Sequence, residues 1–169
     1  MSQSSEAVAP PAQFRRGVRL GVDWGYARVG MAACDPDGVL SYPLETIPAK
    51  DQLAALARVI ALVSEHQPIE VVMGLPIALN GQEALAAGAV ADVADRLASQ
   101  IPVPLRLLDE RLTTAAATRQ LSNIDTRKRR RIVDQAAATG ILEDALRFER
   151  HTGTAPGRLV ESSSTKGKA

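Results

Sequence analysis

Two short apolar segments, each preceded by a helical pattern, constrain the fold of this chain more than any other feature. They are EVVMGLP at residues 70–76 and VPLRLLDER at residues 103–111. Short, wholly apolar runs are typical of parallel strands that are covered on both faces. Apolar residues recur at helical spacing in the segments before them, residues 51–67 and 80–100. The pattern therefore predicts an α/β protein with helical crossovers.

The segment before these crossovers has a different pattern. Three extended runs, Val18–Asp23, Arg28–Cys34 and Val39–Ile47, follow one another closely. The second and third are joined by DPDG at residues 35–38, which has proline and glycine where a type I turn prefers them. We expect these three strands to form an antiparallel meander.

Two further helices complete the predicted order, a short one at residues 113–121 and a final one at residues 132–150. Right-handed crossovers place the two later strands beside the first strand. The predicted architecture is α/β, with a mixed five-stranded sheet of three antiparallel strands followed by two parallel strands. Helices cover both faces of this sheet.

The two ends of the chain differ in composition from its centre. Residues 1–16 and 152–169 are polar and rich in Ser, Ala, Pro and Gly, so we expect disordered tails around one domain at residues 17–151. The N-terminus has no secretory signal pattern, and no apolar run approaches the length of a membrane span. These features predict a soluble, cytoplasmic protein with no membrane partner.

Composition excludes several chemistries. The only cysteine, Cys34, lies in an apolar run, so it predicts a buried thiol and excludes a disulfide framework. His66 and His151 are far apart and argue against a zinc site or a histidine triad. The formal charge of the chain is +1, so a nucleic-acid partner has to be argued from local charge.

Acidic residues come at or near the ends of three predicted elements. Asp23 ends the first strand, Asp109 and Glu110 end the last strand, and Asp134 lies near the start of the final helix. Polar residues at strand ends gather along one edge of such a sheet. Acids beside a core need a counter-charge, and a hard divalent cation with oxygen ligands supplies one. We therefore predict a metal site.

Each acid also has a simpler interpretation. Asp23 with Gly25 fits a plain turn, Asp134 fits a favourable charge near a helix N-terminus, and Glu110 fits a solvated strand end paired with Arg111. Adjacent strand residues point to opposite faces, so Asp109 and Glu110 are not expected to bind the same ion. Spacing alone does not choose between these two.

Four segments, in order and at these intervals, resemble the YqgF/RuvX family of RNase H-like proteins. They are GVDWGYARVGMA, VVMGLP, LDERLTT and IVDQAAA, and the resemblance covers about residues 17–150. The family includes nucleases that mature pre-16S ribosomal RNA and Holliday-junction resolvases. The resemblance implies a nuclease that uses Mg²⁺ or Mn²⁺.

The same resemblance assigns residues. The metal-binding and catalytic acids fall on Asp23, Glu110 and Asp134, which favours Glu110 over Asp109. Supporting positions fall on Thr113 and Thr114, and also on Gly21 and Gly25, where a missing side chain would let backbone, metal and phosphate approach closely. For Gly21, close packing between elements is an equally good explanation.

Basic residues cluster beside the predicted site. Eight Arg or Lys and three Asp or Glu lie between Arg106 and Arg131. This cluster is either a solvated face or a strip that holds a nucleic-acid backbone. The candidate phosphate contacts are Arg28, Arg111, Arg119, Arg127, Lys128, Arg129, Arg130 and Arg131. Few aromatics predict that backbone and shape dominate recognition and that base stacking is minor.

The sequence therefore predicts a metal-dependent nuclease acting on structured nucleic acid, with pre-16S rRNA or pre-ribosomal particles as partner, as a monomer or a homodimer. RNA is favoured over DNA. The alternatives are a Holliday-junction resolvase and a non-catalytic RNA-binding assembly factor. GVDWG also resembles the phosphate turn of sugar kinases and actin-like ATPases, but those need two facing domains and this chain has room for one.

Overall fold

The computed structural model describes residues 13–76, 81–109 and 126–162. Within these ranges, nothing is described of the side chains of residues 82–83 and 126–134. The described chain forms one mixed sheet of six strands with helices on both faces. The predicted α/β class is confirmed.

The strands follow the predicted order and pairing. The sheet order is β3-β2-β1-β4-β5-β6; β1 pairs with β2, and β2 with β3, in antiparallel fashion, whereas β1–β4 and β4–β5 are parallel. The strands are β1 (Arg19–Trp24), β2 (Arg28–Cys34), β3 (Ser41–Pro48), β4 (Glu70–Leu75), β5 (Leu105–Asp109) and β6 (Arg158–Leu159). The first crossover therefore places β4 beside β1, and the second places β5 beside β4.

The number of strands differs from the predicted five, because β6 pairs with β5 in antiparallel fashion. This strand lies in the segment 152–169, for which composition predicts disorder. Val160 is buried in the core, and its backbone N–H donates to the Leu105 carbonyl at 2.9 Å. A two-residue strand in a polar segment carries no alternation pattern, so the sequence gives no signal for it.

Three helices are described: α1 (Gln52–His66), α2 (Gly81–Ala98) and α3 (Thr126–Thr152). Asp51 caps α1, accepting hydrogen bonds from the backbone N–H groups of the second and third helical residues. The predicted helix at 113–121 lies outside the described residues.

Helix α3 is longer than the predicted 132–150, since it begins at Thr126 and includes the basic run Arg127–Arg131. That run has no apolar periodicity, and positive charge near a helix N-terminus opposes the helix dipole. Because of both features, the sequence pattern does not predict where the helix begins.

The sheet separates two apolar layers. Val22, Met73 and Leu107, on one face, belong to the main core with α1 and α2. On the other face, Val72 packs against Ile141 of α3. Cys34 is also buried on the α3 face, and burial raises the pKa of its thiol, as expected for a structural cysteine.

Candidate active site at the carboxyl edge of the sheet

Asp23 lies at the end of β1, opposite Gly30 of β2, and is partly buried. Side chains alternate along a strand, so Asp23 shares a face of the sheet with Gly21, two residues earlier. Gly21 faces α3, because a Cβ built there would lie 3.0 Å from the Cβ of Leu142. Asp23 is therefore on the face of the sheet that α3 covers.

Gly21 lets α3 lie directly on β1. A Cβ at this position would lie 2.7 Å from the backbone oxygen of Ala138, closer than real Cβ atoms approach. Ala138 and Leu142 are both fully buried. Of the two explanations that the sequence left open for Gly21, close packing is the one with a direct contact in the structure.

The direction of α3 brings Asp134 toward Asp23. Ala138 meets Gly21, whereas Glu149, later in the helix, meets Arg19 at the start of β1. Asp134 lies one helical turn before Ala138, toward the carboxyl end of β1. Four helical residues span about 6 Å and two strand residues about 7 Å, so the two acids occupy similar levels.

The end of β5 lies at the same edge of the sheet. Val22 is level with Met73 of β4, and Met73 is level with Leu107 of β5. Asp109 ends β5 and shares the face of Leu107, which packs with α1 and α2. Asp109 also borders an open space with Leu108 and with Asp144 and Phe148 of α3, so this end of β5 also meets the α3 layer. Glu110 follows Asp109 and lies outside the described residues, as do Thr113 and Thr114.

Within the described part of the chain, no three His, Cys, Asp or Glu residues are grouped closely enough to hold a metal ion. Only one of the three predicted ligands, Asp23, has a described side chain. The carboxylate chemistry of Asp23, Glu110 and Asp134 suits hard divalent cations such as Mg²⁺ and Mn²⁺. The metal site thus stays a prediction, and Asp23 is its described member.

The turn after Asp23 is tight. The backbone N–H of Gly25 donates to the Arg28 carbonyl at 2.9 Å, and a Cβ on Gly25 would lie 2.5 Å from that oxygen. This turn requires glycine for steric reasons. Arg28 begins β2 two residues before Gly30, the partner of Asp23. Residues two apart on a strand share a face, so Arg28 is on the same face as Asp23.

Trp24, next to Asp23, belongs to the core. Its side chain is only 8% exposed, and its indole N–H donates to the Gln52 Oε1 at 3.1 Å. A different aromatic residue in this turn is accessible: Tyr26 is 97% exposed. Tyr26 was not among the predicted site residues, although a tyrosine directly after the glycine of this turn was a visible signal.

The basic run Arg127–Arg131 occupies the first turns of α3, eleven to seven residues before Ala138 and so beyond Asp134 at the same edge. Arg111 and Arg119 lie outside the described residues. Arg106, counted with the basic cluster, has a structural partner, because its Nε donates to the Glu70 Oε2 at 3.1 Å. The cationic strip therefore does not include Arg106.

The order and direction of the strands are those of an RNase H-like fold. Thermus thermophilus RuvC, solved in complex with a Holliday junction substrate, superposes with a TM-score of 0.59. The superposition covers 85% of this chain and 99% of that chain at 17% sequence identity, and it supports the fold.

No helix in the described ranges combines the length and the apolar character that crossing a bilayer requires.

The sequence comparison is more specific than the fold. The family model described as "RuvX: Holliday junction resolvase" matches residues 17–148, and the chain belongs to the RuvX family. A Streptomyces avermitilis protein named "Putative pre-16S rRNA nuclease" is 53% identical over 88% of this chain and 97% of its own length. A Streptomyces coelicolor protein of the same name is 49% identical over 95% and 98%.

Proposed function

We propose that this protein is a metal-dependent nuclease that hydrolyses phosphodiester bonds in structured nucleic acid. The observation that carries the proposal is the position of Asp23 at the end of β1, on the face where α3 brings Asp134 to a similar level. Membership of the RuvX family supports the same chemistry.

The proposed metal ligands are Asp23, Glu110 and Asp134. Adjacent strand residues alternate between faces, and the family resemblance falls on Glu110, so Glu110 is the proposed ligand from this part of the chain. A bound Mg²⁺ or Mn²⁺ would activate a water molecule and stabilise the negative charge that develops on the phosphate. The role of the protein is to hold the three carboxylates on rigid elements, with Thr113 and Thr114 supporting them.

Arg28 is proposed to contact a substrate phosphate, because it shares the face of Asp23 and is partly exposed. The basic side chains of Arg127, Lys128, Arg129, Arg130 and Arg131, at the start of α3, would hold the nucleic-acid backbone, with Arg111 and Arg119 adding further contacts. Binding through phosphates carries no sequence information and weakens as salt rises.

Pre-16S rRNA is the substrate we propose, since two relatives that match nearly their whole length carry that name. Such a substrate would place the protein in the cytoplasm with pre-ribosomal particles. We propose that the protein acts as a monomer or a homodimer. A four-way DNA junction is the second candidate, because the family model is described by that activity.

The test is cleavage of an end-labelled RNA that spans the 5′ end of the 16S precursor, with a four-way DNA junction assayed in parallel. We expect the wild-type protein to cut the RNA with Mg²⁺ or Mn²⁺ and not in EDTA. Asp23→Asn should lower the rate by about 10³-fold or more, because an amide is a poor ligand for a hard cation.

Asp37→Asn is the matched control. Asp37 is an exposed acid that pairs with Arg16, so its rate should stay within about twofold. Wild-type protein that binds the RNA tightly but never cuts it would contradict the nuclease proposal and support a non-catalytic assembly factor. Cleavage of the DNA junction alone would transfer the proposal to the second substrate.

A further inference from the structure

An apolar groove opens beside the proposed site, on the face of the sheet opposite α3. It has a volume of about 870 Å³ and lies between the β1–β2 turn and α2. Its lining includes Trp24, Tyr26, Lys50, Pro76, Leu85 and Ala89. A concave, mostly apolar space of this size is typical of sites that bind small molecules.

The rim of this groove exposes groups that usually avoid water. Tyr26 is 97% exposed and Leu85 is 76% exposed, whereas the floor is formed by Trp24 and Val90, which are buried. An exposed aromatic ring beside a groove is a platform on which a flat ring stacks. Lys50 adds a positive charge at the same rim, suited to a phosphate.

The groove lies close to the carboxylate that would hold the metal. Tyr26 is three residues after Asp23, and three residues of chain span at most about 11 Å. Asp23 is on the α3 face, and the groove is on the α1 and α2 face. A strand with a phosphate at Asp23 would therefore cross the edge of the sheet at Tyr26, and its neighbouring base would meet the groove.

We propose that this groove binds one unpaired nucleobase next to the scissile phosphate, stacked on Tyr26, with Lys50 contacting the adjoining phosphate. This inference rests on the proposed nuclease function and deepens it, because it selects substrates with an unpaired nucleotide at the cleavage site. It differs from the expectation from composition that base stacking is minor in this protein.

Equilibrium binding tests the proposal without cleavage. A fluorescein-labelled single-stranded RNA is titrated by anisotropy, with Ca²⁺ in place of Mg²⁺. Tyr26→Ala should weaken binding by about 5- to 150-fold, the range expected when a stacked base is lost. Tyr26→Phe keeps the ring and should bind within about twofold of the parent.

Tyr42→Ala is the matched control, because Tyr42 is the other tyrosine of the chain and is also exposed. It pairs with Ala33, which pairs with Leu20, so it lies toward the opposite end of β1. Its affinity should match that of the parent. An equal loss in Tyr42→Ala, or no loss in Tyr26→Ala, would overturn the proposal.

The same titration with abasic RNA separates base from backbone. Removing the bases should weaken RNA binding by the parent protein and leave RNA binding by Tyr26→Ala nearly unchanged. An equal loss of affinity in both proteins would refute stacking on Tyr26. Trp24 is the only tryptophan and forms part of the groove, so its emission should change when RNA binds to the parent. Filling the groove with Ala89→Phe should weaken binding even with Tyr26 intact.

The outcomes separate this inference from the nuclease proposal. RNA binding that depends on Tyr26 in a protein that never cleaves would support the base site and contradict the nuclease. Cleavage that is normal in Tyr26→Ala, together with unchanged binding, would support the nuclease and overturn the base site. Lys50→Gln should reduce the slope of log affinity against log salt by about one, and an unchanged slope would contradict the proposed phosphate contact.

Discussion

At the amino-terminal end of the parallel strands, two buried carboxylates lie against guanidinium groups of the same chain, whereas Asp23 at the carboxyl end lies beside glycines and a groove. Glu149 accepts hydrogen bonds from Arg15 Nε and Arg19 Nη2, each at 2.8 Å. Glu70 accepts from Arg15 Nη2 at 2.9 Å and from Arg106 Nε at 3.1 Å.

The comparison shows two ways to keep acids next to a core. At the amino-terminal end the counter-charges are fixed parts of the fold, because Arg19, Glu70 and Glu149 are at most 1% exposed. At the carboxyl end we propose that a cation taken from solution joins the groups around Asp23. The first arrangement makes each buried charge depend on its partner, while the second would leave the carboxylates available for chemistry. Helix α3 joins both ends, since it carries Asp134 and Glu149.

Removing a charge at the amino-terminal end should have the largest effect on stability. Glu149→Gln should lower the free energy of unfolding by about 3–5 kcal/mol, because it leaves buried arginine charge without its partner. Urea denaturation measures this value. Asp144→Asn, in an exposed pair with Arg147, is the control and should lose less than about 1 kcal/mol. Similar losses for both variants would contradict the comparison.

Changing the contact between β1 and α3, which lies between the two ends, should have a smaller effect on stability. Gly21→Ala should destabilise the protein by about 1–3 kcal/mol, because its Cβ would overlap the backbone oxygen of Ala138. The displaced α3 should also slow cleavage. In contrast, Gly88→Ala in α2 has open space around it and should stabilise by about 0.5–1 kcal/mol. A Gly21→Ala protein as stable as the parent would show that α3 is not held against β1 as described.

The carboxyl end should respond to metal rather than to the loss of a charge. At a Mg²⁺ concentration ten times the dissociation constant, the parent should gain about 1.4 kcal/mol, which is about 3–6 °C in melting temperature for a domain of this size. Asp23→Asn should show no such gain. A Mg²⁺ shift that survives Asp23→Asn would place the cation elsewhere.

Acid should lower the stability that depends on Glu149, and we expect this effect to be the smallest of those described. Burial raises the pKa of Glu149, but the hydrogen bonds from Arg15 and the charge of Arg19 outweigh it and hold the pKa below the ordinary 4.5. The resulting stability is complete above pH 4.5 and is lost as pH falls through the lowered pKa. Urea midpoints between pH 7 and pH 3 should fall more steeply in the parent than in Glu149→Gln.

Much of the fold was predictable because it depends on local patterns. The runs that became β2 and α1 have the expected bounds to within a residue, and the crossover rule placed β4 and then β5 on the free side of β1. The start of α3 was not predictable, since five consecutive basic residues carry no apolar period. β6 was missed for a similar reason, as only its packing against β5 makes it a strand.

The candidate site divides in the same way. Its acids could be selected from the sequence, because each one ends a strand or begins a helix beside apolar residues. The face on which each acid lies could not be, and the contact between Gly21 and Ala138 is what orients Asp23 toward α3. The ion-pair network was also invisible, because Arg15, Glu70 and Glu149 are separated by 55 and 134 positions.

The sequence alone determined the class of sheet and the order of its first five strands, and it selected the candidate acids, since these depend on periodicity and on residues that are close in the chain. Only the tertiary structure decided which charges are neutralised inside the protein and which edge has an exposed tyrosine beside a groove. Those properties depend on burial and on distances between residues far apart in the chain, which no local pattern records.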